Sequence, residues 1–211
     1  MDIVNRVKNM IITPKQEWVI IEAERLPSAK LLTSYLLLLA LIPAVGQFIG
    51  LGLIGKTTIL GFKTIGVAFG LKSAITSYIT MVGGAYLLAL IINLLATSFG
   101  SEKNFDQAFA LAVYSLTPAY VAGVFYILPA LGILASLAGL YGLYILYLGL
   151  QPMMKTPEDK TVVYFVITLV CVFVAGLILG LILTAIMAAI FVAGAMGGAV
   201  NDGGLYKGLF Y

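Results

Sequence analysis

Four long segments of the 211-residue chain contain no charged residue. They are 25, 29, 48 and 41 residues long and lie between Lys30 and Lys56, Lys72 and Glu102, Asp106 and Lys155, and Lys160 and Asp202. A helix that crosses a hydrocarbon core roughly 30 Å thick needs about 20 apolar residues. The 48-residue segment therefore accommodates two crossing helices, and each of the others accommodates one.

The composition supports a membrane protein. Apolar residues make up 62% of the chain and charged residues 10%, whereas a soluble domain is about 45–50% apolar and about 25% charged. The net charge is +3, and the basic residues are scattered between the apolar segments, where lipid headgroups would meet them. No block of basic residues is dense enough to indicate a nucleic-acid partner.

The predicted fold is an all-α membrane protein, a five-helix transmembrane bundle with short N-terminal interfacial amphipathic helices. Residues 1–27 are assigned to the N-terminal helices, 28–199 to the membrane domain and 200–211 to a flexible tail. The pattern leaves the conformation of the connector 55–72 open. The five spans are predicted at residues 29–53, 73–99, 107–128, 130–150 and 161–193.

The N-terminal helices are predicted from local patterns. Apolar residues recur at helical spacing over residues 3–12, with Arg6 on another face, which is typical of a helix lying on a membrane surface. Thr13 and Pro14 suit the start of a second helix. Trp18, the only tryptophan, precedes the first span and is predicted to be an interface anchor at the headgroup level.

The distribution of basic residues predicts the orientation. Five crossings place eight Lys and Arg residues on the side of the N-terminus and four on the other side. Basic residues are enriched in cytoplasmic loops. We therefore expect a multi-pass protein of the cell (plasma or inner) membrane, with a cytoplasmic N-terminus and an external C-terminus.

The third span contains the sequence Tyr114-Ser115-Leu116-Thr117-Pro118. Pro118 cannot donate to the carbonyl of Tyr114, and hydroxyls at Ser115 and Thr117 could bond to freed backbone groups. The pattern predicts a kink in this span. The kink either shapes a cavity or acts as a moving joint, or it is an ordinary proline bend without a further role.

The fourth span carries Tyr141, Tyr144 and Tyr147 at intervals of three residues, with Gly139 and Gly142 between them. The tyrosines form a stripe on one face, and the glycines allow a second helix to approach. One interpretation is a polar groove for a lipid headgroup or a small solute. The other is hydrogen bonding between helices together with anchoring at the interface.

The fifth span contains Gly176 and Gly180, four residues apart. Small residues at this spacing allow close helix packing, either within one chain or between copies in a homo-oligomer.

The residue types expected of an enzyme are scarce. The chain has no histidine and one cysteine, Cys171, in the middle of an apolar segment. The neighbouring acids Glu158 and Asp159 lie in a loop beside lysines, as do Glu102 and Asp106. We therefore predict no catalytic residue, metal site or cofactor. Apart from Lys30 at the start of the first span, the predicted spans contain no ionisable side chain beyond cysteine and tyrosine, which disfavours proton-coupled transport.

Several segments together resemble the YIP family of Ypt/Rab-interacting-type membrane proteins, in its prokaryotic branch. The resemblance covers nearly the whole chain, and it implies five spans, a cytoplasmic N-terminus and no catalysis. The chain lacks the long acidic N-terminal region of eukaryotic members, which argues against a GTPase partner. The matching segments are residues 6–14 with Trp18, the Tyr114–Pro118 sequence, residues 139–144 and residues 147–150.

The predicted function is that of a non-catalytic membrane protein which organises membrane lipids or partner membrane proteins through a groove between spans three, four and five. The expected partners are the lipid bilayer, lipids held between helices, and a second copy or another membrane protein. The alternative is a channel, transporter or lipid scramblase whose uncharged pathway is lined by spans three to five.

Overall fold

The computed structural model describes residues 2–57 and 63–201. The predicted helical membrane fold is confirmed, because five helices are long and apolar enough to cross a bilayer. They are Ser28–Ile54, Val67–Phe99, Phe105–Ile127, Pro129–Met154 and Glu158–Leu181, called spans one to five below. The chain divides into two compact units, Met1–Thr168 and Leu169–Tyr211.

The first part of the chain contains two short helices and span one. The short helices are α1 (Ile3–Ile12) and α2 (Pro14–Glu24). Span one consists of α3 (Ser28–Leu31), α4 (Leu37–Leu39) and α5 (Leu41–Gln47), with π-helical turns at Leu32–Leu36 and Phe48–Ile54.

The later spans are more regular. Span two is α6 (Val67–Leu95) with a 3₁₀ turn at Ala96–Phe99. Span three is α7 (Phe105–Ser115), α8 (Thr117–Ala122) and a 3₁₀ turn at Gly123–Ile127. Span four is a 3₁₀ turn at Pro129–Leu131 followed by α9 (Gly132–Met154), and span five lies within α10 (Glu158–Asn201).

The two ends of the connector between spans one and two pair with each other as a short antiparallel ladder. Strand β1 (Lys56–Thr57) pairs with β2 (Lys63–Thr64), and Lys56 lies opposite Thr64. Helix α6 begins at Val67, six residues before the predicted start of the span at 73. Gly70 does not interrupt this helix, and its missing side chain lets the backbone of Gly52 approach closely.

Span one is broken close to its proline. The helix breaks at Ala40, and Pro43 has no N–H for the carbonyl of Leu39. Gly46 and Gly50 lie in close contact with span three, because a Cβ atom at either position would clash with backbone carbonyls at the end of that span.

Span three is the central element of the first unit. Every residue from Gln107 to Ser115 is buried, and α7 packs against both α6 and α9. At the start of this span, the Asp106 carboxylate accepts a hydrogen bond of 2.9 Å from the backbone N–H of Ser28. The beginnings of spans one and three therefore lie together. This end of the bundle, which also carries residues 100–104 and 155–157, is called the proximal side, and the end near Ile54 and Pro129 the distal side.

Helices α1 and α2, called the N-terminal hairpin, pack against α8 and α9. Arg6 and Met10 are buried in α1, whereas Val4 and Ile12 are exposed. The sequence placed Arg6 on a different face from the apolar residues of α1, but Arg6 is buried together with Met10. Helix α1 is amphipathic, but the face that packs against the rest of the protein is centred on Arg6 and Met10. Arg6 can be buried there because carboxylates of α2 pair with its charge.

The last helix is longer than predicted. We expected the last span to end near residue 193, but α10 continues through the glycines at 194, 197 and 198 to Asn201. A glycine costs about 1 kcal/mol in a helix without necessarily ending it. Most of the predicted tail 200–211 lies outside the described residues, which stop at 201.

Candidate functional site

Span three is interrupted at the predicted position. Helix α7 ends at Ser115 and α8 begins at Thr117, with Pro118 in its first turn. The Ser115 hydroxyl donates to the carbonyl of Ala112 at 2.9 Å, as expected for a hydroxyl near a proline. The Thr117 hydroxyl instead lies 2.8 Å from the hydroxyl of Tyr35, so that the kink is joined to span one by a buried hydrogen bond.

The three tyrosines of span four do not line a single groove. The Tyr141 hydroxyl donates to the carbonyl of Ile11 at 2.7 Å, and its ring lies 5.9 Å from that of Tyr144. Tyr147 makes an edge-on contact with Phe165 at 5.5 Å. The first two tyrosines therefore face the N-terminal hairpin, and the third faces the beginning of α10, because each step of three residues rotates by about 60° around the helix.

The glycines of span four have different surroundings. A Cβ atom at Gly142 would lie 2.7 Å from the carbonyl oxygen of Ser115, so this glycine brings α9 against α7. At Gly149 a Cβ would lie 2.5 Å from Leu111 and 2.6 Å from the Trp18 ring. Outside the adjoining backbone of its own helix, no described atom would lie within 4 Å of a Cβ at Gly139.

Trp18 lies inside the protein rather than at its surface. Its side chain is 1% exposed, and the indole N–H donates to the carbonyl of Ile145 at 3.1 Å. The ring also makes an edge-on contact with Tyr114 at 6.4 Å. The structure thus differs from the predicted interface anchor, because Gly149 leaves space in which the indole fits against α9.

A buried ion cluster lies beside Trp18 and Tyr114. Arg6 Nη1 is 2.6 Å from Glu17 Oε1, and the same guanidinium also contacts the Glu24 carboxylate. The guanidinium lies 5.7 Å from the centre of the Tyr114 ring, within the range of a cation–π interaction. Burial opposes the charge, but the Glu24 hydrogen bond and the nearby carboxylates outweigh it and raise the pKa of Arg6.

This cluster places charged groups inside the bundle, although the four long segments that form the spans contain none. The charges come from the N-terminal hairpin rather than from the spans, so the charge-free segments gave no indication of them. The spacing of seven residues between Glu17 and Glu24, which places both on one face of α2, was the available signal.

A cavity of about 260 Å³ opens where the turn of the N-terminal hairpin meets span four. Tyr141 and Tyr144 form one wall, and Ile12, Thr13, Pro14, Lys15 and Gln16 form the other. Lys15 makes no ion pair with a described residue, and the Tyr144 hydroxyl has no hydrogen-bond partner there. An ammonium group and phenol, hydroxyl and amide groups around one opening can bind an anion such as a phosphate.

The cavity lies near the middle of span four. Tyr141 is 12 residues after Pro129 and 13 residues before Met154, the two ends of the span. At 1.5 Å per residue, the cavity is roughly 20 Å along the helix from the proximal end. A lysine side chain at this level is far from either end of the span.

The remaining predicted positions belong elsewhere. Gly176 and Gly180 lie in α10 within the second unit, and their use in helix packing stays a prediction. In the part of the chain that the structure describes, no group of three His, Cys, Asp or Glu residues could hold a metal ion.

One comparison with known proteins gives a match. The model of the Yip1 domain family matches residues 8–180, which is most of the chain and includes the cavity and all of spans one to four. No curated protein matches the chain, and no solved structure matches it either.

Proposed function

We propose, from the premise that the chain belongs to the Yip1 domain family, that it is a non-catalytic multi-pass membrane protein which organises the surrounding lipids. It does so by holding a phospholipid headgroup in the cavity between the hairpin turn and Tyr141–Tyr144. The observation that carries the proposal is the position of Lys15, at an open cavity halfway along a membrane span.

An ammonium group at this level is costly unless it meets water or an anion. A lysine at the bilayer centre costs about 2.5–3.5 kcal/mol on insertion scales, and local thinning of the bilayer reduces such costs. The Lys15 side chain extends only a few ångströms. Its ammonium group therefore cannot reach the proximal end of span four, which is roughly 20 Å away along the helix. A headgroup drawn down beside span four would supply the phosphate, with the Tyr144 hydroxyl as a further donor.

The outer surface of the hairpin supports the same proposal. Lys8, Lys15 and Gln16 are exposed on the N-terminal hairpin, although most exposed positions of the spans are apolar. A polar flank beside apolar spans favours a thinner bilayer at that flank. The protein thereby shapes the membrane without chemistry on the lipid.

We further propose a prokaryotic cell membrane as its location, with the N-terminus in the cytoplasm. The eight basic residues on the side of the N-terminus, against four on the other, support this orientation. The hairpin would then thin the cytoplasmic half of the bilayer.

A transport pathway between spans three and four has less support. The carbonyl of Ser115 leaves no space for even a methyl group at Gly142, so the two spans touch at the centre of the bundle. We expect no flux of small solutes through vesicles that contain the purified protein.

The proposal is tested by spin labelling of the full chain in lipid vesicles. Cys171 is replaced by alanine, and a nitroxide is attached at Gln16→Cys in the cavity or at Leu140→Cys, a lipid-exposed position at the same level of span four. We expect the label at residue 16 to collide mainly with a polar nickel reagent, and the label at 140 mainly with oxygen.

A second arm removes the charge. Lys15→Gln in the Gln16→Cys background should lower the polar accessibility of the label, because the headgroup and its water are no longer held. Lys103→Gln, a change at an exposed loop lysine, should leave it unchanged. If the labels at residues 16 and 140 report the same apolar environment, the proposal is wrong.

A further inference from the structure

We propose a second phospholipid site, separate from the hairpin cavity, near the distal end of span two. There an open cavity of about 380 Å³ lies between α6, α5 and the end of span three. Its polar lining includes Gln47, Lys72, Ser73, Thr76, Ser77 and Thr80. The expected ligand is the phosphate and glycerol region of an anionic phospholipid such as phosphatidylglycerol.

The hydroxyl groups form one continuous stripe. Ser73, Thr76, Ser77 and Thr80 follow the spacing i, i+3, i+4, i+7, which places them on a single face of α6. The opposite face of the same helix, with Leu71, Ile75 and Tyr78, forms an apolar groove with α5. Span two therefore has one polar and one apolar flank, a pattern that its high average apolarity conceals.

These polar groups are not satisfied within the protein. Hydroxyls in membrane helices usually bond to a carbonyl one turn earlier, as Thr33 and Ser34 do in span one. In contrast, the four hydroxyls of the stripe and the Gln47 amide make no hydrogen bond to any described residue. An unbonded polar group in hydrocarbon is costly, so the cavity requires a polar occupant.

The charge balance indicates that the occupant is anionic. Lys72 has no carboxylate within ion-pair distance in the described structure. The sequence also contains no Asp or Glu from Arg25 through Ser101. The counter-charge for Lys72 must therefore come from outside this region of the protein, and phosphate is the anion that a membrane supplies.

The length and surroundings of the stripe fit a lipid rather than a free anion. Lys72 and Thr80 are eight residues apart, or about 12 Å along the helix. Lys72 would bind the phosphate, while the hydroxyls below it would bond to the glycerol and ester oxygens. Phe69, at the edge of the cavity, is 44% exposed, so the acyl chains can remain in the bilayer.

The test measures binding of phosphatidylglycerol to the purified full chain in detergent by native mass spectrometry. Lys72→Gln should weaken binding about fivefold, the factor that corresponds to roughly 1 kcal/mol for one lysine near a headgroup. Thr76→Val with Thr80→Val, which removes two hydroxyls without a change of charge or shape, should also weaken it. Lys103→Gln and Ile75→Val, on other surfaces, serve as matched controls and should bind as the unmodified chain does.

Further arms separate the outcomes. A diazirine-labelled phosphatidylglycerol should crosslink the unmodified chain within residues 69–81, a result that needs no variant to fold. Inorganic phosphate at millimolar concentration should not displace the lipid, and displacement would overturn the proposal of a lipid ligand.

Lys15→Gln should leave crosslinking at residues 69–81 unchanged, whether or not the hairpin cavity binds a headgroup. The proposal of this second site would also be overturned by unchanged binding in both Lys72→Gln and the double threonine variant, or by crosslinks confined to other segments.

Discussion

Arg6 and Glu17 form an ion pair of 2.6 Å in which both side chains are about 95% buried, although neither residue belongs to a membrane span. The pair joins the two helices of the N-terminal hairpin and lies beside Tyr114 in the centre of span three. Because the pair is buried, the hairpin cannot separate from the bundle unless Arg6 and Glu17 lose the packing that surrounds them.

We predict that Arg6→Met destabilises the protein strongly. Removal of one partner of a buried pair leaves an uncompensated charge and typically costs about 3–5 kcal/mol. Thermal unfolding in detergent, followed by Trp18 fluorescence, would show a lower melting temperature. Arg6→Met combined with Glu17→Met should recover part of the loss, because Glu24 is about one third exposed and can remain hydrated.

The matched control for this prediction is Arg25→Gln. Arg25 pairs with Glu22 at 3.5 Å on the surface, and an exposed pair contributes about 0–1 kcal/mol. Equal melting temperatures for Arg6→Met and Arg25→Gln would show that the buried cluster does not hold the hairpin.

A second prediction concerns the contact between the hairpin and span four. Gly149→Ala places a methyl group 2.5 Å from Leu111 and 2.6 Å from Trp18, so either the ring or the leucine must move. Such overpacking costs about 1–3 kcal/mol. The melting temperature should fall, and the emission of Trp18 should change because its surroundings are rearranged.

Gly139→Ala is the control for the glycine substitution. It lies in the same helix, but outside the adjoining backbone of that helix no described atom is within 4 Å of the added methyl group. Alanine is favoured over glycine in a helix by about 1 kcal/mol. The melting temperature should stay the same or rise, and a decrease as large as that of Gly149→Ala would contradict the packing argument.

The sequence was sufficient to predict the five spans, because the charge-free segments reflect a requirement that hydrocarbon imposes on each helix separately. The sequence also predicted the interruption of span three before Pro118, since the missing N–H of proline is a property of the residue itself. These features depend on local chemistry and on the length of each segment.

The position of the N-terminal hairpin could not be predicted in the same way. A pattern of apolar residues in α1 is compatible with burial by lipid or by protein, and only the partner helices decide between them. The burial of Arg6 was not predicted, because its charge partners lie 11 and 18 residues away, in another helix. The cavity at Lys15 was missed for the same reason, although Tyr141 and Tyr144 were recognised as candidates for a headgroup site.

Trp18 provides a third prediction, since it is the only tryptophan. Its indole is buried and bonded to the carbonyl of Ile145, so its emission should be blue-shifted and insensitive to iodide and to brominated lipids. A tryptophan anchored among headgroups would be quenched by lipids brominated near the glycerol. Strong quenching by those lipids would therefore place Trp18 at the interface and contradict the structure.

The fourth prediction concerns the kink of span three, where the hydroxyls of Tyr35 and Thr117 lie 2.8 Å apart and are both buried. Tyr35→Phe and Thr117→Val should each lower stability by about 1 kcal/mol, because each leaves a buried hydroxyl without its partner. The double variant should cost clearly less than the two single changes together, since no unpaired hydroxyl remains. Melting temperatures of the four proteins measure this coupling. Additive losses would mean that span one and the kink are not joined by this bond.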